Sequence, residues 1–466
     1  MPLNRTLNFP PRIGLPRQGA CFGINLVLLA LAVLALALLA TPARSREAES
    51  EAAPGTLENM AGLTVTDVVW SGNKTTRDFV IRREIRTLVG DPLVPETVKK
   101  DIVRLENLGI FSSVKVITNR TEGGVALQYI VREMPSLVPY ITFSLTDENG
   151  LSLGPAVASI NFLGRGATLA GSALFGGTTQ FNLDYMDPWI TGDHVSVDFH
   201  TALLDREDTV REFQENSFEV TPWVGSYFGE KFRGYVGASY FRMEADRDSV
   251  TLSGQADNLI RVGMSAIYDS RDNWRDPGSG WRNEVVLQKT GGFLGGDGDF
   301  WTALVDLRRY QPLLPRQTLA LGAMTTLQSG VVGTEFPSYL QFVMGGANSI
   351  RGYQPTKLGR EVFGQNQFIF TAEYRVLVAP IREYRLLGWS VGLGWQAAAF
   401  LDVGSAWAEN QSLTGDRTRL GYGAGIRLLV PGAAMVRFDV GISEDRDVAF
   451  YVRGLSKFEA QRERIR

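Results

Sequence analysis

The sequence predicts a transmembrane β-barrel of about 16 antiparallel strands, preceded by one small β-α-α-β-β domain. Three observations predict it. Apolar residues at helical spacing are confined to residues 63–134. From Pro135 onward the chain becomes segments of about ten residues that alternate apolar and polar, separated by Gly, Asp, Asn or Pro. A segment of export-signal character stands ahead of both parts.

The chain has 466 residues, 44% hydrophobic and 21% charged, with a formal net charge of −3. That charge is nearly balanced and has no basic stripe, which argues against nucleic acid as a partner. One cysteine and two histidines, His194 and His200, exclude an internal disulfide and a Cys/His zinc cluster. There is no G-x-S-x-G, no histidine triad and no cluster of metal ligands, so neither an enzyme nor a cofactor is expected. Gly421, Gly423 and Gly425 repeat with a period of two and no helix follows, unlike a nucleotide-binding loop. They are expected to face the barrel interior.

Residues 1–45 carry Arg5, Arg12 and Arg17, then the apolar run LVLLALAVLALALLA, then small residues at Ala43 and Ser45. This reads as a secretory signal peptide cleaved after about Ser45. The alternative is an uncleaved anchor, for which the run is short, since a spanning helix needs about 20 residues. Cys21 would leave with the peptide. Residues 46–62 read as a linker.

Residues 63–134 open on a β-rich alternating stretch, and Gly72-Asn73 turns the chain. Thr75 or Thr76 can cap a helix through Phe79, Ile81 and Ile85. Gly90-Asp91-Pro92 stops it. A second helix from about Pro95 places Val98, Ile102, Leu105 and Leu108 on one face, and Gly109 ends it. Two strands, 114–118 and 125–132, close the unit. Its sheet would expose an edge to which an extended peptide could add a strand.

In residues 135–458, Phe181, Leu183 and Tyr185 share one face of a strand while Gln180, Asn182 and Asp184 share the other. Val436, Phe438, Val440 and Ile442 likewise oppose Arg437 and Asp439. Aromatics near strand ends (Tyr185 and Trp189, Trp223 and Tyr227, Trp395 and Trp407) fit interfacial girdles. An even strand number would close the barrel and leave no sheet edge in lipid. Residues 459–466 form a charged tail.

Several stretches resemble one known family. Gly72-Asn73, Gly90-Asp91-Pro92 and LENLGIF at 105–111 make the first unit similar to a POTRA domain. GLSLGPAVASINFLGRG at 150–166, YDSRDNWRDPGSGWR at 268–282, FLDVGSAW at 400–407 and GYGAGIRLLVP at 421–431 resemble the barrel of the same family. That family joins POTRA domains to a barrel and includes BamA, TamA and the two-partner-secretion transporters. One POTRA-like unit precedes the barrel here, and Phe458 is followed by EAQRERIR. The resemblance implies a bacterial outer membrane location, with the POTRA-like domain in the periplasm. It implies assisted assembly of other outer-membrane proteins, with outer-membrane lipid, unfolded β-barrel clients and periplasmic chaperones or accessory lipoproteins as partners. The alternative is a two-partner-type transporter that exports one specific protein through the lumen.

Residues 345–353 read GGANSIRGY, a Gly- and Asn-rich loop with one arginine. The alternation over 367–380 turns Phe368, Phe370, Tyr374 and Val376 to lipid, which leaves Glu373 and Arg375 in the lumen. Over 395–407 it turns Asp402 inward, on the neighbouring strand. If the loop folds back inside, the planar fork of Arg351 can bond both carboxylates. The family's arginine loop implies that role for Arg351, with Gly346, Ile350, Gly352 and Tyr353 completing the motif. The first barrel strand contains Pro139, which cannot donate a ladder bond. The last contains Gly454, and its alternation slips between Val452 and Leu455. Both features would weaken the closing seam.

Overall fold

The computed structural model describes residues 57–453 apart from 147–148, 192–193, 230, 274–275, 355–362, 387–388, 409–410, 412–416 and 430–434. The expected leader, Gly454 and the charged tail lie outside the described residues.

The small domain is built from β1 (Val65–Ser71), α1 (Asp78–Arg82), α2 (Pro95–Asn107), β2 (Phe111–Thr121) and β3 (Gly124–Glu133). Its sheet runs β1-β3-β2, with β1 parallel and β2 antiparallel to β3. Pro95 stands in the first turn of α2, where its missing N–H costs nothing. Val80, Ile81, Val98, Leu105, Val125 and Leu127 are fully buried between helices and sheet, each worth about 1.5–3 kcal/mol of apolar burial. The expected threonine cap is absent, and α1 starts at Arg77 without a side-chain cap. Instead the Glu133 carboxylate, at the end of β3, accepts the N–H of Thr75 at 3.0 Å and of Thr76 at 2.6 Å. Asp101 on α2 is buried and accepts from the Arg86 N–H, the Thr87 hydroxyl and the Tyr129 hydroxyl at 2.9, 2.6 and 2.9 Å. Burial, together with this carboxylate, raises the Tyr129 pKa.

The barrel begins with β4 (Leu137–Thr146), β5 (Gly150–Phe162), β6 (Ala167–Gly176), β7 (Thr178–Asp187) and β8 (Val195–Asp208). It continues with β9 (Phe213–Phe228), β10 (Phe232–Ala245), β11 (Ala256–Asp269), β12 (Gly280–Gly291), β13 (Asp299–Pro312) and β14 (Gln317–Gln328). A long connection carries the two-residue strands β15 (Phe342–Val343) and β16 (Phe363–Gly364). Then come β17 (Asn366–Leu386), β18 (Trp389–Trp407), β19 (Arg419–Leu429), β20 (Val436–Ser443) and β21 (Val448–Arg453). Leaving out β15 and β16, these form one 16-stranded sheet in chain order. The predicted strand number and fold class are therefore those observed. The edges β4 and β21 lie side by side, but no backbone ladder joins them among the described residues. Pro139 sits on β4, opposite Val157 of β5, as an edge strand tolerates. Among the described residues no helix is long and apolar enough to cross a membrane. The strands do so, with Ile141 71% and Val236 62% exposed on the outer face.

The small domain docks on two turns of the barrel. In the β5–β6 turn, Asn161 donates to the Thr76 hydroxyl at 2.8 Å and accepts the Gly166 N–H at 2.8 Å. The Gly164 carbonyl accepts the Arg77 N–H at 2.9 Å. Gly164 has φ +72°, and a Cβ there would lie 2.2 Å from the Thr75 carbonyl oxygen. The N-x-L-G-x-G stretch therefore makes a docking turn. In the β7–β8 turn, Arg83 lies 5.0 Å over Trp189, Trp189 stacks on Tyr227 at 6.1 Å, and Arg233 closes the stack 5.0 Å over Tyr227. Burial lowers the Arg83 pKa and raises that of Glu84, and their 3.3 Å ion pair opposes both shifts.

That stack corrects part of the expected girdle. Trp189, Trp223 and Tyr227 do not face lipid. Trp223 is opposite Asp198, a lumenal position, and Tyr227 shares its parity. Gly237 on β10 makes the room, since a Cβ there would stand 2.4 Å from the Trp223 ring. Trp395, 36% exposed, does face outward.

Replacing Trp189 with Ala should remove about 0.5–2 kcal/mol of cation–π docking. Spin labels at Lys115 on β2 and Leu314 on the barrel should then give a broadened distance distribution. An unchanged distribution would mean that the stack does not hold the domain.

Candidate functional site

The β5–β6 and β7–β8 turns face the small domain, so counting along the meander puts the β14–β17 connection at the opposite end. From there residues 345–353 turn back into the lumen. The loop first closes on itself. Gly346 N–H donates to the Tyr353 carbonyl at 2.8 Å. The Ser349 hydroxyl accepts the Gly345 N–H at 2.8 Å and donates to the Gly345 carbonyl at 2.6 Å. Ile350 is fully buried and packs with Met344, Tyr353 and Ile369.

Arg351 is 0% exposed, and its partners Asp402, Asp439 and Glu373 are 0%, 0% and 1% exposed in their side chains. Its Nε donates to Asp402 Oδ2 at 2.7 Å and its Nη2 to Asp402 Oδ1 at 3.0 Å, a bidentate pair. Nη1 is shared between Glu373 Oε2 at 3.2 Å and Asp439 Oδ2 at 3.1 Å. Its backbone N–H adds a bond to Asp402 Oδ2 at 3.1 Å. The Phe400 ring underlies the guanidinium at 3.3 Å. Asp402 on β18 and Glu373 on β17 are thus brought together by Arg351.

Three further arginines complete the cluster. Arg427 on β19 bridges Asp439 at 2.5 Å and Glu373 at 2.8 Å. Arg375 holds the other Glu373 oxygen at 2.8 Å. Arg437 on β20 is 3.5 Å from Asp439 and donates to the loop at the Ala347 carbonyl, 3.0 Å, and Asn348 Oδ1, 2.6 Å. Within this group four guanidiniums meet three carboxylates, and Arg437 is the one held largely by neutral loop oxygens. Parity finds Asp439 and Arg437, because they oppose Val436, Phe438 and Val440. It does not say that the loop reaches them. Arg427 is signalled only by sharing the parity of the three glycines.

The glycines decide how close the loop can come. A Cβ at Gly421 would lie 1.9 Å from the Arg351 carbonyl oxygen, and one at Gly441 would lie 2.4 Å from Gly352 N. Gly352 has φ +106°, and its own Cβ would lie 2.5 Å from the Ile442 carbonyl carbon. Loop backbone rests directly on wall backbone, which no side chain would permit. Gly346, at φ +89°, makes the entry turn.

Residues 161–454 match the family description "Omp85 superfamily domain". The chain belongs to the Omp85 superfamily. Residues 63–134 match the POTRA description "surface antigen variable number repeat". The curated relatives include the outer membrane protein assembly factor BamA of Neisseria meningitidis serogroup B, 24% identical over 396 residues, 78% of this chain and 50% of that protein. BamA of Nitratidesulfovibrio vulgaris is 24% identical over 360 residues, 73% of this chain and 43% of that protein. The chain thus spans about half the length of these relatives. Among solved structures, BamA from Haemophilus ducreyi lacking POTRA domains 1–3 superposes with a TM-score of 0.55 at 18% identity, covering 84% of each chain. CdiB from Escherichia coli gives 0.51 at 13% identity, covering 95% of this chain and 99% of that one. These likenesses concern the fold.

Arg351→Ala would leave buried carboxylates short of a partner, at a cost of about 3–5 kcal/mol to loop docking. Arg351→Lys keeps the charge but loses the fork, costing about 1.5–3 kcal/mol. Protease accessibility of the loop in the bilayer-embedded protein should rise in the order wild type, Lys, Ala. Equal accessibility in all three would show that the cluster does not hold the loop.

Proposed function

We propose that this Omp85-superfamily chain resides in the bacterial outer membrane and assists the insertion of other β-barrel proteins there. The observation that carries the reading is the seam. The 16-stranded sheet comes round to itself, yet β4 and β21 share no ladder among the described residues. Unpaired strand edges are templates for further strands, so parting the seam offers a client hairpin an edge within the membrane. The POTRA domain would capture the client beforehand. Its sheet ends in β2, where main-chain pairing binds extended peptide with little sequence demand. Burial and pairing of the client supply the driving force, without nucleotide, cofactor or catalytic residue. Periplasmic chaperones or accessory lipoproteins would deliver clients to this edge. The names of the BamA relatives support the assembly role.

A second reading, export of one specific protein through the lumen, is favoured by the open sector beside β7 and β8. There the lumenal side chains of His200 and Asp184 remain 36% and 53% exposed. Depleting the protein and quantifying the outer-membrane proteome separates the readings. The proposal expects many barrel proteins to fall together. Loss of a single exported protein, with the barrels intact, would replace it with the second reading.

A further inference from the structure

The latch reaches beyond the wall that holds Arg351. Tyr451 lies on β21 with 5% exposure, its side chain turned to the lumen. Its hydroxyl accepts the Gly352 N–H at 3.1 Å and donates to the Tyr353 carbonyl at 3.2 Å. Ala347, at the start of the loop, packs on Tyr451 and Ala449. The Tyr353 hydroxyl accepts the Glu444 N–H at 3.2 Å, in the turn between β20 and β21. The residues on either side of this bond are therefore the loop that Arg351 anchors and the strand that borders the seam.

Among the described residues, the ladder of β21 with β20 comprises six residue pairs, whereas β8 and β9 share fourteen. On its other side it meets β4 without a ladder among the described residues. Moving β21 away from the loop would orphan the buried Gly352 N–H and leave the Tyr353 carbonyl with its bond from the Gly346 N–H alone. Arg351, meanwhile, is fixed to β17, β18 and β20 through its three carboxylates. The loop spans from a rigid wall to a weakly paired edge.

We infer that Tyr451 is the positioning residue through which the arginine latch holds the seam strand, so that the seam opens only when the tie between Tyr451 and Gly352–Tyr353 is broken. The inference rests on the seam described under Proposed function and assigns the control of that seam to one hydroxyl group. The loop is then a restraint on the movable edge as well as a filling of the lumen.

The test uses the full chain in lipid nanodiscs. Spin labels replace Ile141 on β4 and Phe450 on β21, both lipid-facing. A control pair replaces Val236 and Met264, register partners on β10 and β11. Tyr451→Phe keeps the ring against Ala347 and removes both hydrogen bonds. It should raise the population at long β4–β21 separations about fivefold, the shift expected from one buried hydrogen bond, and leave the control pair unmoved. An unchanged β4–β21 distribution overturns the inference. If Tyr451→Phe fails to fold, the Gly352 amide of the wild-type protein must exchange through the open seam, its rate rising with the population of long β4–β21 separations; exchange independent of that population also overturns it. Client assembly is measured on the same samples. A widened seam with altered assembly supports the inference and the function together. A widened seam with unaltered assembly keeps Tyr451 as the seam's tie and removes the seam from the proposed function.

Discussion

Burying a guanidinium inside the lumen is the constraint on which the rest of this barrel depends. A lone buried cation would cost several kcal/mol, so Arg351 is tolerable only with its carboxylates in place. Asp402, Asp439 and Glu373 sit on three different strands. Their spacing is set by the sheet, and the loop must come to them. The carboxylates are shared in turn, Glu373 with Arg375 and Arg427, and Asp439 with Arg427. Loop and wall therefore specify each other, and a shift of one strand register would turn a carboxylate out to lipid.

Two further features follow from that docking. The wall strands under the loop are stripped of side chains at Gly421 and Gly441, because the loop backbone occupies their place. The edge strand β21 is tied in through Tyr451, so the latch joins the strands that carry its carboxylates to the strand that borders the seam. At the other end of the barrel the POTRA domain is held by a different chemistry. A layered stack of Arg83, Trp189, Tyr227 and Arg233 spans the junction, with neutral hydrogen bonds from Asn161 and Gly164 beside it.

The barrel was legible because a two-residue period states which face each side chain occupies. Glu373 and Asp402 could be assigned to the lumen, and to adjacent strands, from alternation alone. The third carboxylate, Asp439, was legible as lumenal but not as a partner of Arg351. Its contact depends on how the barrel curves, which sequence periodicity does not encode. Trp189, Trp223 and Tyr227 were misread as girdle residues because position near a strand end does not specify a face. Gly237 opposite Trp223 was the available signal, since an indole in the lumen needs a missing side chain beside it. The helix α1 was assigned a threonine cap, whereas it starts without a side-chain cap, and Glu133, distant in sequence, holds the N–H groups of Thr75 and Thr76 just ahead of it. Local patterns carry no record of such a partner.

The central claim is that residues 345–353 are fixed to the barrel wall. Hydrogen exchange of the backbone amides in lipid bilayers tests it most directly. Gly346, Arg351 and Gly352 each donate to a buried acceptor. Their exchange should be as slow as that of ladder amides in β18 and β20. Exchange as fast as that of Asp445, in the exposed turn between β20 and β21, would contradict the account.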